Sequence, residues 1–197
     1  MGYIMQFIYT KGATPFSLDE IHNLIPKHLT HQHQLDEWEQ YNIARAEMWI
    51  KSRKIKDILS IEFVKKLHRK MFCDTWSWAG VFRQRQTNIG VNSIYIPQEL
   101  KILMDDIGYW QKNATFSRRE IGVRLHHRLV FIHPFPNGNG RFSRLFADLY
   151  LLNQNEPRFS WGRANLAKDS SFRDQYLQAL RLADKSDYKE LIIFADS

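Results

Sequence analysis

The chain has little with which to build covalent cross-links, membrane spans or unstructured tails. Its one cysteine, Cys73, among 197 residues excludes an internal disulfide, and the flanking Phe72 and Trp76 predict a packed thiol. No apolar run approaches the roughly 20 residues that a membrane-crossing helix needs. The stretch Met1 to Thr10 lacks a cationic start, a long apolar run and a small-residue cleavage site, so no secretory leader is expected. The 9 glycines and 6 prolines do not cluster into a linker, and no repeat or low-complexity tract marks a boundary. These absences predict one cooperative unit in the cytoplasm.

Hydrophobic residues make up 44% of the chain and are spread over its length, enough for a substantial core. The formal charge of +7 suits nucleic acid, acidic lipid or a phosphate-bearing ligand alike. Basic residues fall in separate places (Lys51 to Lys56, Lys65 to Lys70, Arg83 and Arg85, Arg118 and Arg119), mixed with acids and apolars. Solvated helix faces explain that pattern better than a nucleic-acid surface does.

Most of the text has a helical period. Leu35, Trp38, Ala46, Trp49 and Ile50 mark one face of a helix from about Gln34 to Lys51, with Asp36, Glu37 and Glu39 expected in its first turn, where carboxylates favour the helix dipole. Ile61, Val64, Leu67, His68 and Met71 repeat the spacing after Ser60, a natural N-cap. Further helices are predicted over Gln98 to Gln111, Ser117 to Ile132, Arg141 to Leu152 and Ser170 to Leu182. The fold class is therefore mainly α. One segment breaks the pattern: VFRQRQTNIGVNSIYI (Val81 to Ile96) places β-branched and aromatic residues on both sides of Gly90 to Ser93, which predicts a small β-hairpin ahead of Pro97. It is either a mobile flap or an ordinary hairpin covering a helix.

The informative stretch is HPFPNGNGRFSR, His133 to Arg144. Pro134 disfavours αR backbone at His133, so the preceding helix should stop there and leave the imidazole beside a loop. Gly138 and Gly140 permit torsions closed to other residues and let backbone amides turn into one concavity, a nest for anionic oxygens. In the helix that follows, Phe142, Leu145, Phe146 and Leu149 form the apolar stripe. Arg141 and Arg144 occupy the first turn, where cations oppose the dipole by roughly 0.3–1 kcal/mol each. That makes sense if an anion sits between the helix N-terminus and two guanidinium forks. The structural alternative pairs Arg144 with Asp148 one turn on. Metal readings of His126, His127 and His133, or of His31 and His33, lack one-turn i, i+4 spacing and a completing acid or cysteine, so core or surface histidines are expected. Trp76, Trp78 and Phe82 are expected to pack the root of the hairpin.

The run resembles the Fic family motif HxFx(D/E)GNGRxxR, matching it at His133, Phe135, Gly138, Asn139, Gly140, Arg141 and Arg144. The resemblance continues upstream through TWSWAGVFR (Thr75 to Arg83), and LIPKHLTHQHQLDEWEQYNI is similar to the Fic subgroup called mobile mystery protein B. A Fic-type helical bundle is thereby implied over 1–197, with 1–59 as an N-terminal extension, 60–152 as the core and 153–197 as C-terminal helices.

The resemblance also implies a nucleotidyltransferase that moves AMP, or a related group, from ATP to a hydroxyl of a target protein. In that role His133 is the base, Gly138, Asn139, Gly140, Arg141 and Arg144 bind the nucleotide, and Ile89, Gly90 and Val91 of the flap dock the target. Phe135 anchors the loop. The account requires an imidazole open to the ligand and glycine amides turned outward. Asn137 stands where the family usually has an acid that helps hold magnesium or manganese. A neutral amide should lower metal affinity, leaving a catalytically weak nucleotide-binding regulator as the alternative function. Many Fic proteins are restrained by a helical glutamate against the second motif arginine, or by a separate antitoxin. The pattern (S/T)xxxE(G/N) is not matched here, since Thr30 leads to Gln34, so Glu39 and Glu37 are the candidates for self-inhibition, with dipole compensation as the plainer explanation.

Overall fold

A computed structural model describes residues 22–29, 31–53, 55, 57–162 and 170–197. Its helices are α1 (Gln32–Lys51), α2 (Ile61–Phe72), α3 (Ile96–Lys112), α4 (Arg118–Ile132), α5 (Asn139–Asn153), α6 (Ser170–Ala183) and α7 (Lys189–Ala195), with a 3-10 turn at Ser93–Tyr95. The fold is mainly helical, as expected. Thr30 and the 163–169 segment lie outside the described residues, and so does the stretch Met1 to Thr10.

The chain forms two compact units. The first takes in residues up to Ile96 and returns for Pro134–Gly138. Its helices α1 and α2 pack against each other through Leu35, Ala46 and Ile50 on one side and Phe63, Val64, Leu67 and Met71 on the other, all buried. Ser60 caps α2 by accepting from the Phe63 amide at 3.2 Å, which satisfies one of the amides a helix start leaves unpaired. Trp76 and Trp78 stack at 5.1 Å behind α2, and Phe82 lies 5.5 Å from Phe135. These aromatic residues pack as expected.

Three expectations in this unit fail. Helix α1 begins at Gln32, so its first turn holds no acid and dipole compensation cannot explain Asp36, Glu37 or Glu39. Glu39 is buried and accepts from Trp76 Nε1 at 2.7 Å, while Glu37 is exposed. Cys73 is exposed rather than packed; partial burial, then the charge of Asp74, raises its thiol pKa. The hairpin over 81–96 has no strand ladder. The polar side chains of the segment take its carbonyls before a partner strand can. Arg83 donates to the carbonyls of Arg85 and Val91, Gln86 Nε2 to that of Gly90, Thr87 Oγ1 to that of Ile89 and Ser93 Oγ to that of Gln84. Burial lowers the Arg83 pKa.

The second unit holds residues 97–133 and 139–197. Helices α4 and α5 pack closely, as do α6 and α7. Ser117 caps α4 through the Glu120 amide at 3.1 Å. Helix α7, which the sequence reading missed, buries Leu191, Phe194 and Ala195. Asp148 Oδ1 accepts from Trp161 Nε1 at 2.9 Å and from the Phe159 amide at 3.3 Å.

The histidines of α4 are core residues, as expected. His126 Nε2 lies 3.0 Å from the Tyr176 hydroxyl, and His127 bridges Asp184 at 2.9 Å and Tyr188 at 3.2 Å. Burial, then the charges of Arg144 and His127, holds the His126 pKa well below the usual value, against a raising contribution from the Ser143 backbone. Burial likewise lowers that of His127; Asp184 opposes the shift, and Arg128 and Arg124 add to it.

These shifts fix a sign. Below about pH 6.5 the unfolded chain takes up protons that these two imidazoles refuse when folded. Their contribution is complete above that value and is lost as pH falls through it. The thermal midpoint should therefore drop between pH 7.5 and 5.5; a midpoint that rises on acidification contradicts the assignment.

Candidate functional site

The motif run changes unit twice along the chain: His133 closes α4 in the second unit, Pro134–Gly138 belong to the first, and Asn139 opens α5 back in the second. In the first unit, the loop is seated on α2. His68 is fully buried. Its Nδ1 accepts from the Gly80 amide at 3.0 Å, which leaves Nε2 as the protonated nitrogen and makes it the donor to the Asn137 carbonyl at 3.1 Å. The Phe135 ring stacks on the same imidazole at 3.6 Å with 17° between planes, and the Arg83 amide donates to the Pro134 carbonyl at 3.0 Å. Phe135 is the loop's anchor, as expected. The role of His68 went unread, since the sequence shows it only as a member of an apolar stripe.

Gly138 is fixed by two constraints. Its φ is +77°, and an added Cβ would meet the Phe72 ring at 2.6 Å. Its amide is not turned outward as the nest model asked; it donates to Asn137 Oδ1 at 2.6 Å. The side-chain oxygen expected to serve a metal is thus folded back on its own loop. Among the described residues no group of three or more His, Cys, Asp or Glu could hold a metal ion. The donor set does not fit a resident cation.

In the second unit, His133 ends α4 in the left-handed region, φ 53° and ψ 59°, with its amide donating to the Leu129 carbonyl at 3.0 Å. The helix stops where Pro134 demanded. A histidine in this region stores strain of about 1 kcal/mol or more, a feature that concentrates at functional positions. The expectation of an open imidazole fails: His133 is 6% exposed.

Helix α5 starts at Asn139, two residues ahead of the sequence estimate, so Asn139, Gly140 and Arg141 form its first turn, at the positive end of the helix dipole. That turn carries no acid. A Cβ built on Gly140 meets only Arg144 Nη1, at 3.7 Å, so the space above this glycine is open and edged by a guanidinium. Arg144 does not follow the Asp148 alternative: it lies 5.8 Å from the Tyr176 ring centroid and engages the Tyr176 side chain. Half-buried Arg141 stands on the first turn as expected, but the earlier helix start puts Arg144, sixth in α5, on the second turn. A helix start, an empty glycine edge and a guanidinium make a receptor for anionic oxygen.

Residues 58–151 match the model of the Fic/DOC family. The chain is 30% identical over 145 residues to "Protein adenylyltransferase Fic" of Drosophila mojavensis, covering 71% of this chain and 26% of that protein. It is 27% identical over 143 residues to the Aedes aegypti protein of the same name, covering 70% and 27%. It thus spans about a quarter of these curated relatives. Among solved structures, the ADP-bound N-terminal Fic domain of a VirB-translocated Bep effector from Bartonella quintana aligns with TM-score 0.66 at 18% identity, covering 89% of this chain and 93% of that one. Fic-1 from C. elegans aligns with TM-score 0.62 at 22% identity, covering 79% and 46%. Both show the same fold.

The two glycines should separate fold from site. Gly138→Ala forces a side chain into a positive φ and into Phe72, and should cost roughly 1–3 kcal/mol in urea unfolding. Gly140→Ala should leave stability unchanged or raise it by up to about 1 kcal/mol, yet weaken nucleotide binding by filling the open edge. Equal losses of stability in both variants contradict this reading.

Proposed function

Residues 58–151 belong to the Fic/DOC family, and from that premise we propose that the chain transfers AMP, or a related nucleotide or phosphate group, from a nucleoside triphosphate to a hydroxyl side chain of a target protein. The observation that carries the reading is the α5 start: an acid-free first turn, an open edge at Gly140 and the Arg144 guanidinium beside it. The names of the relatives and the ADP in a structural neighbour support it. The assignment to mobile mystery protein B and the single-domain organisation over 1–197 are part of the same proposal.

In this reading the amides of Asn139, Gly140 and Arg141 hold phosphate oxygens, and Arg141 and Arg144 neutralise the outer ones. The target's hydroxyl oxygen bonds to the α-phosphorus as the bond to the pyrophosphate oxygen breaks, and the hydroxyl proton passes to His133. Such catalysis is largely positioning and charge stabilisation, with the base adding about 10²–10⁴ in rate. Because His133 is buried, the hydroxyl reaches it only when its cover yields, so the described state is a restrained one. Ile89, Gly90 and Val91 remain the proposed docking segment, through side chains and amides, since the three carbonyls are already taken. A divalent cation, if used, enters with the nucleotide's phosphates, and no step here depends on it. Restraint by Glu39 requires its release from Trp76; Glu37, being exposed, needs no such step.

The folded-back Asn137 amide favours one second reading, a nucleotide-binding regulator without transfer. Labelled ATP, GTP, UTP and CTP, each with magnesium or manganese, separate the two. Label should pass to protein with wild type and fall by at least about 10²-fold with His133→Ala. Nucleotide binding without transfer by either protein supports the regulator, and no binding at all sinks both.

A further inference from the structure

Arg144 has a carboxylate within its own helix and turns from it. Asp148 stands four residues on in α5, the spacing at which an arginine and an acid meet on one helix face. Asp148 Oδ1 is instead taken by Trp161 Nε1 at 2.9 Å and by the Phe159 amide at 3.3 Å. Trp161 keeps that place with φ at 49°, a left-handed torsion that a bulky residue rarely adopts and that costs strain. The same indole packs on buried His126, ring centroids 4.6 Å apart. His126 Nε2 in turn lies 3.0 Å from the hydroxyl of buried Tyr176. The Tyr176 side chain engages Arg144, with the guanidinium 5.8 Å from the ring centroid. One cluster thus occupies the carboxylate and seats the cation. It also sets a direction. Asp148 would draw the guanidinium toward the C-terminal end of α5, whereas Tyr176 leaves Arg144 Nη1 3.7 Å from where a Cβ on Gly140, four residues the other way, would stand.

We propose that Trp161 and Tyr176 are positioning residues for nucleotide binding: they part Arg144 from Asp148 and hold its guanidinium at the Gly140 edge to receive a phosphate. The inference rests on the nucleotide reading above and adds to it two residues outside the motif. An Arg144–Asp148 pair would have to break before a phosphate oxygen could take the same fork, and that cost would be subtracted from the affinity. Holding the fork apart in advance leaves its donors set for the ligand. Trp161 acts on the acid and Tyr176 on the cation, so substitution can separate the two contributions.

The test measures equilibrium affinity for ATP and inorganic tripolyphosphate with wild type, Tyr176→Phe and Trp161→Phe, each repeated with Arg144→Gln. Tyr176→Phe should weaken both ligands by about tenfold, as loss of a hydrogen bond to a charged group does. With Arg144→Gln present it should change affinity by no more than about twofold. A purely structural tyrosine would lower affinity alike in both backgrounds. Trp161→Phe frees Asp148 and should weaken binding too. Adding Asp148→Asn, which keeps an acceptor for the Phe159 amide but carries no charge, should recover most of that loss. In the wild-type chain tripolyphosphate should shift the Tyr176 ring resonances, a readout that needs no variant to fold. If wild type binds ATP while Tyr176→Phe acts independently of Arg144 or not at all, while Asp148→Asn brings no recovery, or while the Tyr176 resonances stay in place, the positioning assignment falls alone. If wild type binds neither ligand, the nucleotide reading falls with it.

Discussion

The bond from His68 to the Asn137 carbonyl is the constraint on which the motif loop depends. One buried imidazole accepts from Gly80, donates to Asn137 and supports the Phe135 ring, so helix α2, the segment after Trp78 and the loop are tied at a single ring. A buried polar group costs little only when satisfied, and both nitrogens of this one are. Gly138 must then be glycine, because the chain leaves that anchor at positive φ and against Phe72. The motif is thus partly a packing signature. Its first glycine serves the fold, and only the second borders open space.

A different economy operates in the second unit. Helix α5 carries Arg141 in its first turn, where helix physics favours acids, and Arg144 one turn on engages a buried tyrosine. His126 beneath that tyrosine resists protonation, so it adds no third charge. Net charge of +7 is in this sense uneven in meaning. The basic face of α2 is engaged in cation–π contacts, Lys66 and Lys70 over Trp49 and Lys65 over Phe82. Arg144 of α5 lies instead against Tyr176 and beside the open edge of Gly140.

Helix spans were legible because their signals are local: Ser60 caps as read, stripes such as Val64–Leu67–Met71 are buried, and Pro134 stops α4. Other features depended on partners distant in sequence. Glu39 looks like a dipole acid until Trp76, 37 residues away, donates to it. The 81–96 segment has strand-forming residues, yet a buried Arg83 reaches Val91 and supplants the ladder. Cys73 has apolar neighbours in the chain, but they point into the core without it. Candidate site residues were legible as a list through the motif. Their state was not: the burial of His133 and the turned-in Asn137 oxygen arise from loop seating that no spacing rule encodes.

The central claim is that the loop-to-helix run receives phosphate at the α5 start. Residue-resolved hydrogen exchange across 134–144, with and without saturating ATP, addresses it most directly. The account predicts strong protection at Asn139, Gly140 and Arg141 with little change at Gly138, whose amide is already bonded. Protection confined to other parts of the chain, or none in this run while ATP is demonstrably bound, would contradict it.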